Sequence, residues 1–375
     1  MRQGDEGQRI INVAFDVGPL AGRRTGIGAA VGALRAELER EPSIRLLPYL
    51  TSFRAPRDGE VRRLPLPAMA AHRLWAHIDR PRADRWLGGA DVVHGTNYVV
   101  PPTTAPRLVS VYDCWFLAHE RQAHPDVVRA GRVLLRSLDR GAVAHASSHA
   151  TAAALLEHSP HADVRVVHLG AMPLPAPTPT CPIAELDGRP YILAVATLER
   201  RKNLPRLVEA FADVAVEVPE VRLVIAGGDG DDRGAVDEAI DRLPPAIGSR
   251  VLLTGYVDDA VRSWLLGNAR VLAYPSLDEG FGFPLLDAMQ VDLPIVASNA
   301  GSIPEVAGAA ALLSPADDVA ALAANLVRAL TDDAARATLV AAGRDQLAHF
   351  TWTASMAGMT ALYRALAATD DKDIR

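Results

Sequence analysis

Short unbroken apolar runs alternate with helix-like stretches along the whole chain. Ile10–Asp16 (IINVAFD), Ile44–Leu50, Asp91–His94 and Leu108–Tyr112 read as buried strands, and Ile27–Arg40 as a helix between the first two. The alternation stops at Pro173–Pro182 (PLPAPTPTCP), where five prolines in ten positions exclude a helix interior or a central strand. It then restarts. Tyr191–Leu198, Val221–Gly227, Arg250–Tyr256, Arg270–Pro275 and Pro294–Ser298 are strand candidates, Leu204–Glu217 is a helix, and alanine-rich helices fill Asp317–Leu366. Runs that are apolar at every position, separated by helices, predict parallel sheets covered on both faces.

The pattern therefore gives an α/β chain of two similar doubly wound units. The predicted division is an N-terminal domain over 1–172, a proline-rich linker over 173–188 and a C-terminal domain over 189–350. Phe350, Trp352, Met356, Met359 and Tyr363 recur at near-helical spacing, which predicts that a last helix, 351–375, crosses back onto the first domain. Ligands bind open parallel sheets outside the carboxyl ends of their strands, so the informative residues should lie in loops just after strands.

Composition narrows the classes. A chain of 375 residues with 49% hydrophobic residues has enough apolar surface for two cores. No apolar run approaches the roughly 20 residues of a membrane-spanning helix. Met1–Arg9 is polar and of mixed charge, without the apolar segment of a secretory signal, so a cytoplasmic protein is expected. The net charge of −6 argues against a dedicated nucleic-acid binder. Cys114 and Cys181 form no C-x-x-C pair, and no histidine cluster has metal-ligand spacing, so neither a disulfide framework nor a metal site is expected.

The strongest chemical signal is Asp278–Met289 (DEGFGFPLLDAM), which follows a strand and enters a helix near Pro284. Gly280 and Gly282 leave backbone N–H groups uncovered just before that helix, an arrangement suited to an anion. Glu279 and Asp287 are acceptor-only carboxylates that suit the paired hydroxyls of a sugar. Diphosphate on N–H groups and hydroxyls on carboxylates outline a nucleotide-sugar site; a glycine turn with a capping Glu279 and a solvated Asp287 is the plainer alternative. Arg200, Arg201 and Lys202 stand at a helix start, where the dipole disfavours cations. An anionic ligand would account for them better than solvent does.

Elsewhere the signals are weaker. Gly26, Gly28 and Gly32 give G-x-G-x-x-x-G, one residue off the dinucleotide fingerprint, and the next strand offers no acidic residue for an adenosine ribose. A loop reaching the donor phosphate or the acceptor is the better reading of Gly18–Gly28. His94, ending a strand, is placed at the acceptor. Arg62–Arg85 is basic, with Trp75 and Trp86 interleaved. It would suit a weak peripheral membrane contact or an anionic acceptor, but an ordinary helix with its tryptophans turned inward is preferred.

DEGFGFPLLDAM resembles the E-x₇-E motif of glycosyltransferase family 4. LAYPSLDEGFGFPLLDAMQVDLPIVASNAGSIPEVAG around it is similar to that family almost throughout, as are Ala194–Phe211 (AVATLERRKNLPRLVEAF), TGIG at Thr25–Gly28 and VVHGTNYVVPP at Val92–Pro102. The resemblance implies two facing Rossmann-like domains with an interdomain cleft, the GT-B arrangement, and transfer of a hexose-type sugar from a nucleotide diphosphate sugar to an acceptor hydroxyl with retention. Carried over by position, Glu279 holds donor-sugar hydroxyls and Asp287 the ribose diol. Lys202 with Arg201 neutralises the leaving diphosphate. Backbone N–H groups of Gly280, Phe281, Gly282 and Phe283 meet diphosphate or sugar. Gly26, Gly28, Thr197, Tyr256 and Val257 complete the donor side, and His94, Tyr112 and Asp113 the acceptor or sugar side.

The chain departs from the family in three places. Asp287 is one methylene shorter than the usual glutamate. Thr197 stands where many members carry an arginine. Tyr112 stands before Asp113 where the family usually has a histidine, and a tyrosine is no comparable base near neutral pH. The scheme needs no cofactor and no metal. The expected partners are a nucleotide-sugar donor and a hydroxyl-bearing acceptor (a glycan, a glycolipid or a small natural product), not nucleic acid, with the chain a monomer or homodimer. The rival readings are a sugar-nucleotide epimerase and a catalytically impaired nucleotide-sugar-binding protein.

Overall fold

In the computed structural model, which describes residues 9–21, 26–51 and 59–370, the chain forms two parallel sheets. Thr25 of the TGIG segment lies outside the described residues. One unit comprises Met1–Gly170 together with Thr351–Arg375, and the other Ala171–Phe350.

The first unit is built on β1 (Ile11–Asp16), β2 (Ile44–Leu50), β3 (Arg62–Arg63), β4 (Val92–Gly95), β5 (Arg107–Val111), β6 (Val143–Ala146) and β7 (Val164–Val166), in the order β3-β2-β1-β4-β5-β6-β7. All pairings are parallel, and β1 meets β4 with Val13 opposite Val92 and Phe15 opposite His94. From β1 the chain runs outward through β2 and β3; it then returns to the middle for β4 and runs out the other way. The switch point thus lies between β1 and β4. Every residue of β4, β5 and β6 is buried, including His94, Arg107, Ser110 and His145, as expected of central strands covered on both faces.

Helix Trp352–Asp370 lies against β1, β4 and helix Gly26–Leu38, and buries Met359 and Tyr363. Its start sits so close to Gly170 that a Cβ there would fall 2.5 Å from the Trp352 nitrogen. In the basic stretch, helix Ala68–Trp75 turns Trp75 into the core, and Arg85 stacks 4.2 Å from the centre of the half-buried Trp86 ring.

His94 departs from expectation. It lies not at an open edge but fully buried, with Nδ1 2.7 Å from the Tyr363 hydroxyl and Nε2 2.8 Å from Ser110 Oγ. Ser110 Oγ also lies 2.9 Å from His145 Nδ1, whose Nε2 meets the Val167 carbonyl at 2.9 Å. Burial holds both imidazoles neutral, pushing His94 well below the usual value and His145 down to about 4. Both nitrogens of His94 are engaged, so it is a core histidine beneath the sheet edge and offers nothing to an acceptor.

The second unit is built on β8 (Tyr191–Val195), β9 (Arg222–Ala226), β10 (Val251–Gly255), β11 (Val271–Tyr274), β12 (Ile295–Ser298) and β13 (Ala311–Ser314), ordered β10-β9-β8-β11-β12-β13 and all parallel. Its switch point lies between β8 and β11. Two aspartates break the alanine-rich stretch into helices: Asp318 accepts from Ala321 N–H before Val319–Thr331, and Asp332 from Ala334 and Ala335 N–H before Asp333–Leu347. The proline-rich run groups with this unit, Thr178 N–H donating to the Ala260 carbonyl at 3.2 Å. Among the described residues, no helix is long and apolar enough to cross a membrane.

Candidate functional site

The loops after β8 and β11 meet at the switch point of the second unit. After β8 the chain passes the exposed Thr197 and makes a 3₁₀ turn over Arg200–Lys202. Asn203 then adopts a left-handed conformation (φ 56°) that starts helix Leu204–Glu217, with Pro205 in its first turn. The Asn203 amide donates to the carbonyls of Pro275 (3.0 Å) and Ala316 (2.8 Å), and Leu277 N–H donates to the Arg201 carbonyl (2.7 Å). These bonds pin the two loops together. Gly227, after β9, supports them from below: a Cβ there would lie 1.8 Å from the Ala196 carbonyl oxygen, so only glycine admits the approach.

Glu279 is the hub. It is 6% exposed, and its Oε1 accepts from Lys202 Nζ (2.5 Å) and Ser276 Oγ (2.7 Å), its Oε2 from Arg201 Nη1 (2.9 Å). Ser276 is fixed in turn through its carbonyl, which accepts from Ser298 Oγ at 2.5 Å. Burial alone would raise the Glu279 carboxyl; Lys202, Arg201 and the Ser276 hydroxyl outweigh it and pull the group down to about 2. Tyr274 is pushed far above the usual phenol value by burial and by the Glu279 charge, and its ring lies 5.6 Å from Lys202 Nζ. Two cations thus meet one buried carboxylate, and the half-buried Glu199 lies 3.9 Å from Arg201. Beside the buried carboxylate the two cations outnumber it, an arrangement that suits an anion.

Next comes the glycine turn. Gly280 and Phe281 are buried, and Gly282 takes φ 92° as the residue before helix Phe283–Gln290, which has no side-chain cap at its N-terminus. Uncapped N–H groups therefore open beside Lys202 and Arg201, an anion-binding combination. Gly301, at φ 54°, lets the following loop lie against the Glu279 backbone, and Ser302 N–H donates to the Glu279 carbonyl at 2.9 Å.

Asp287 lies on the inner face of helix Phe283–Gln290, 4% exposed. Arg262, from helix Asp259–Asn268, donates to its Oδ2. Burial dominates and raises the Asp287 carboxyl to about 6, with Arg262 restraining the rise and Asp259 adding to it. Tyr256 is 66% exposed and Val257 half-buried at the end of edge strand β10.

The remaining candidates belong to the first unit. Gly26 is exposed and Gly28 buried at the start of helix Gly26–Leu38. Tyr112 and Asp113 follow β5, Asp113 half-buried and Tyr112 only 7% exposed, its hydroxyl driven well up by burial, with Ser110 pulling the other way. Tyr112 is no base in this setting. Among the described residues the structure also brings in groups the sequence reading passed over. Ser276 and Tyr274 sit inside the quoted family segment, where adjacency to Glu279 was the available signal. Arg262 carries no local signal, since it meets Asp287 only through the fold. Asp16 ends β1 at the other switch point, a position that the strand pattern did mark.

Residues 189–332 match the family model described as glycosyl transferases group 1. The chain is 34% identical over 172 residues to O-antigen chain mannosyltransferase B of Escherichia coli, covering 45% of this chain and 44% of that protein. It is 30% identical over 183 residues to phosphatidyl-myo-inositol mannosyltransferase of Mycolicibacterium smegmatis, covering 48% of this chain and 46% of that protein. The chain thus matches less than half the length of these curated relatives. Among solved structures it is similar in fold to sucrose-phosphate synthase from Thermosynechococcus elongatus, with a TM-score of 0.71, 21% identity and coverage of 96% of this chain and 100% of that one.

Proposed function

Since residues 189–332 of this chain are a group 1 glycosyltransferase domain, we propose that the protein is a retaining glycosyltransferase moving a hexosyl unit from a nucleotide diphosphate sugar to an acceptor hydroxyl. The observation that carries this reading is the Arg201–Lys202 pair held on buried Glu279 beside the uncapped helix Phe283–Gln290. That arrangement suits a diphosphate next to a sugar. The names of the two mannosyltransferase relatives favour mannose as the transferred sugar.

In this scheme the diphosphate lies against Lys202, Arg201 and the N–H groups of Gly280–Phe283. Glu279 stays ionised across the physiological range, so it remains an acceptor for donor-sugar hydroxyls. Asp287 takes a ribose hydroxyl on the oxygen that Arg262 leaves open. The acceptor oxygen bonds to the anomeric carbon on the face from which the diphosphate departs. The bond to the diphosphate breaks with its electron pair, the cations stabilise that charge, and a departing phosphate oxygen takes the acceptor proton. The two cations and the helix terminus supply the positive charge, so the scheme uses no metal.

A thermal-shift screen of UDP-, GDP-, dTDP- and ADP-sugars tests the reading, because a specific ligand raises apparent stability. One nucleotide class should raise Tm with or without EDTA, and the same sugar should then be transferred or slowly hydrolysed. No shift with any nucleotide sugar, or conversion of the sugar to its epimer without an acceptor, would count against it.

Asp287 gives a pH prediction. With its carboxyl near 6, donor KM should rise as pH falls from 7 to 5, while kcat at saturating donor changes little. Arg262→Ala removes the cation that holds the carboxyl down, so the inflection should move up in pH. A flat donor KM from pH 5 to 8 in both proteins contradicts the ribose role.

A further inference from the structure

The switch point of the first unit holds a group that the scheme above does not use. β1 and β4 are neighbours from which the chain leaves in opposite directions, the place where open parallel sheets take ligands. Asp16 is the last residue of β1, half-buried at that edge. Thr96, just after β4, donates through Oγ1 to the Asp16 carbonyl at 2.8 Å and ties the two strand ends together.

The Asp16 carboxyl is short of partners. Gly18 N–H donates to Oδ1 at 2.8 Å, and no cation among the described residues pairs with it. The titratable groups facing it are buried phenols: Tyr49 on β2 and Tyr112 after β5, with Tyr363 of the last helix beside Tyr112. Burial raises the carboxyl to about 7, with the Gly18 N–H pulling the other way. An aspartate kept in such surroundings costs stability and is best explained by use.

Two further observations fall on the same edge. Tyr98 holds φ 58°, a left-handed conformation that a tyrosine adopts at a cost. Asn97 Oδ1 is buried without a hydrogen-bond partner. Strain and an unpaired buried polar atom at one strand edge mark a binding site more than a structural one.

We propose that Asp16 binds the acceptor, its carboxylate accepting a hydrogen bond from an acceptor hydroxyl, and that the acceptor end entering here is a neutral polyol of the sugar type. Among the described residues no cation faces this carboxylate, and a desolvated carboxylate so placed repels a phosphate or carboxylate. The inference rests on the glycosyltransferase reading and adds the acceptor's chemistry to it. Asp16 binds and orients, while the proton of the attacking hydroxyl leaves with the phosphate.

The test uses the full chain, the donor found by thermal shift, and methyl glycosides alongside their 6-phosphates as acceptors. Wild-type protein should use neutral glycosides and not the phosphates, with acceptor KM falling as pH rises through about 7. Asp16→Asn should keep the donor-induced Tm shift, raise acceptor KM at least about tenfold and lose that pH dependence, because the amide has only one acceptor oxygen and no charge. Asp16→Glu should restore part of the affinity and the pH dependence. Wild-type acceptor KM and pH profile in Asp16→Asn, preference for the phosphorylated acceptors, or no transfer to any neutral glycoside would overturn the inference. Failure of the underlying reading shows differently, as the absence of any donor-induced Tm shift in the wild-type protein.

Discussion

Lys202→Ala should lower kcat by about 10²–10³, with the unfolding transition close to wild type. Charge grows on the departing diphosphate oxygen as the sugar bond breaks, and removing one preorganised partner for such charge typically costs ~3–4 kcal/mol of barrier. The fold should survive because Arg201 and Ser276 still satisfy Glu279. Glu279→Ala should abolish transfer to a similar degree for a different reason. It removes the carboxylate that Lys202 and Arg201 share, so both cations lose that anchor and the donor sugar loses an acceptor. Circular dichroism and steady-state kinetics on the purified variants decide the matter. Turnover near wild type in either one, with the protein folded, would mean that the cluster is not at the reaction centre.

Gly227→Ala should destabilise the second unit by several kcal/mol, on the order of 4, while its neighbour Gly228→Ala should be almost silent. A Cβ at Gly227 would meet the Ala196 carbonyl oxygen at 1.8 Å and the Thr197 nitrogen at 2.9 Å, both backbone atoms that no rotamer change can move aside. At Gly228 the same atom would meet nothing within 4 Å. The pair separates a steric cause from a general intolerance of substitution in this loop. Urea unfolding should show an earlier transition for Gly227→Ala alone, and donor binding should weaken with it because the β8 and β9 loops can no longer lie together. Equal midpoints for the two variants would show that the loop yields at little cost.

Much of the scaffold was readable from one feature, the unbroken apolar run. Such runs found β1, β2, β4 and β5, and later β8 to β12, because each is mostly apolar, with polar residues too few to break the run. The missed strands explain themselves. β3 is two arginines, β6 carries His145 and β7 carries Arg165, so each interrupts the apolar signal. β13 (ALLS) is short and lies close to the alanine-rich helices.

At the site, the glycine turn and the run Arg200–Lys202 were legible because each is contiguous in sequence. The partnership of Arg262 with Asp287 was not, since it depends on how two helices pack. The misreading of His94 has the same origin. Its position at a strand end was right, but its burial depends on Tyr363, 269 positions away, and no local pattern announces which strand end a distant helix will cover. Asp16 shows the converse. Its place at the end of β1 was visible, but that no cation among the described residues pairs with it is a property of the folded surroundings alone.

The first unit is discontinuous in sequence, and that orders events during synthesis. Its sheet is complete once residue 166 has left the ribosome, yet the hydroxyl that meets His94 arrives only with Tyr363, after all of Ala171–Phe350. At the ~5–20 residues per second of translation, that is a wait on the order of ten seconds or more. Through that interval the patch of β1 and β4 that the last helix covers has no permanent cover, while the second unit is contiguous in sequence and waits for no later segment. The nascent chain therefore carries every residue of the second unit before the first unit receives the helix that covers His94.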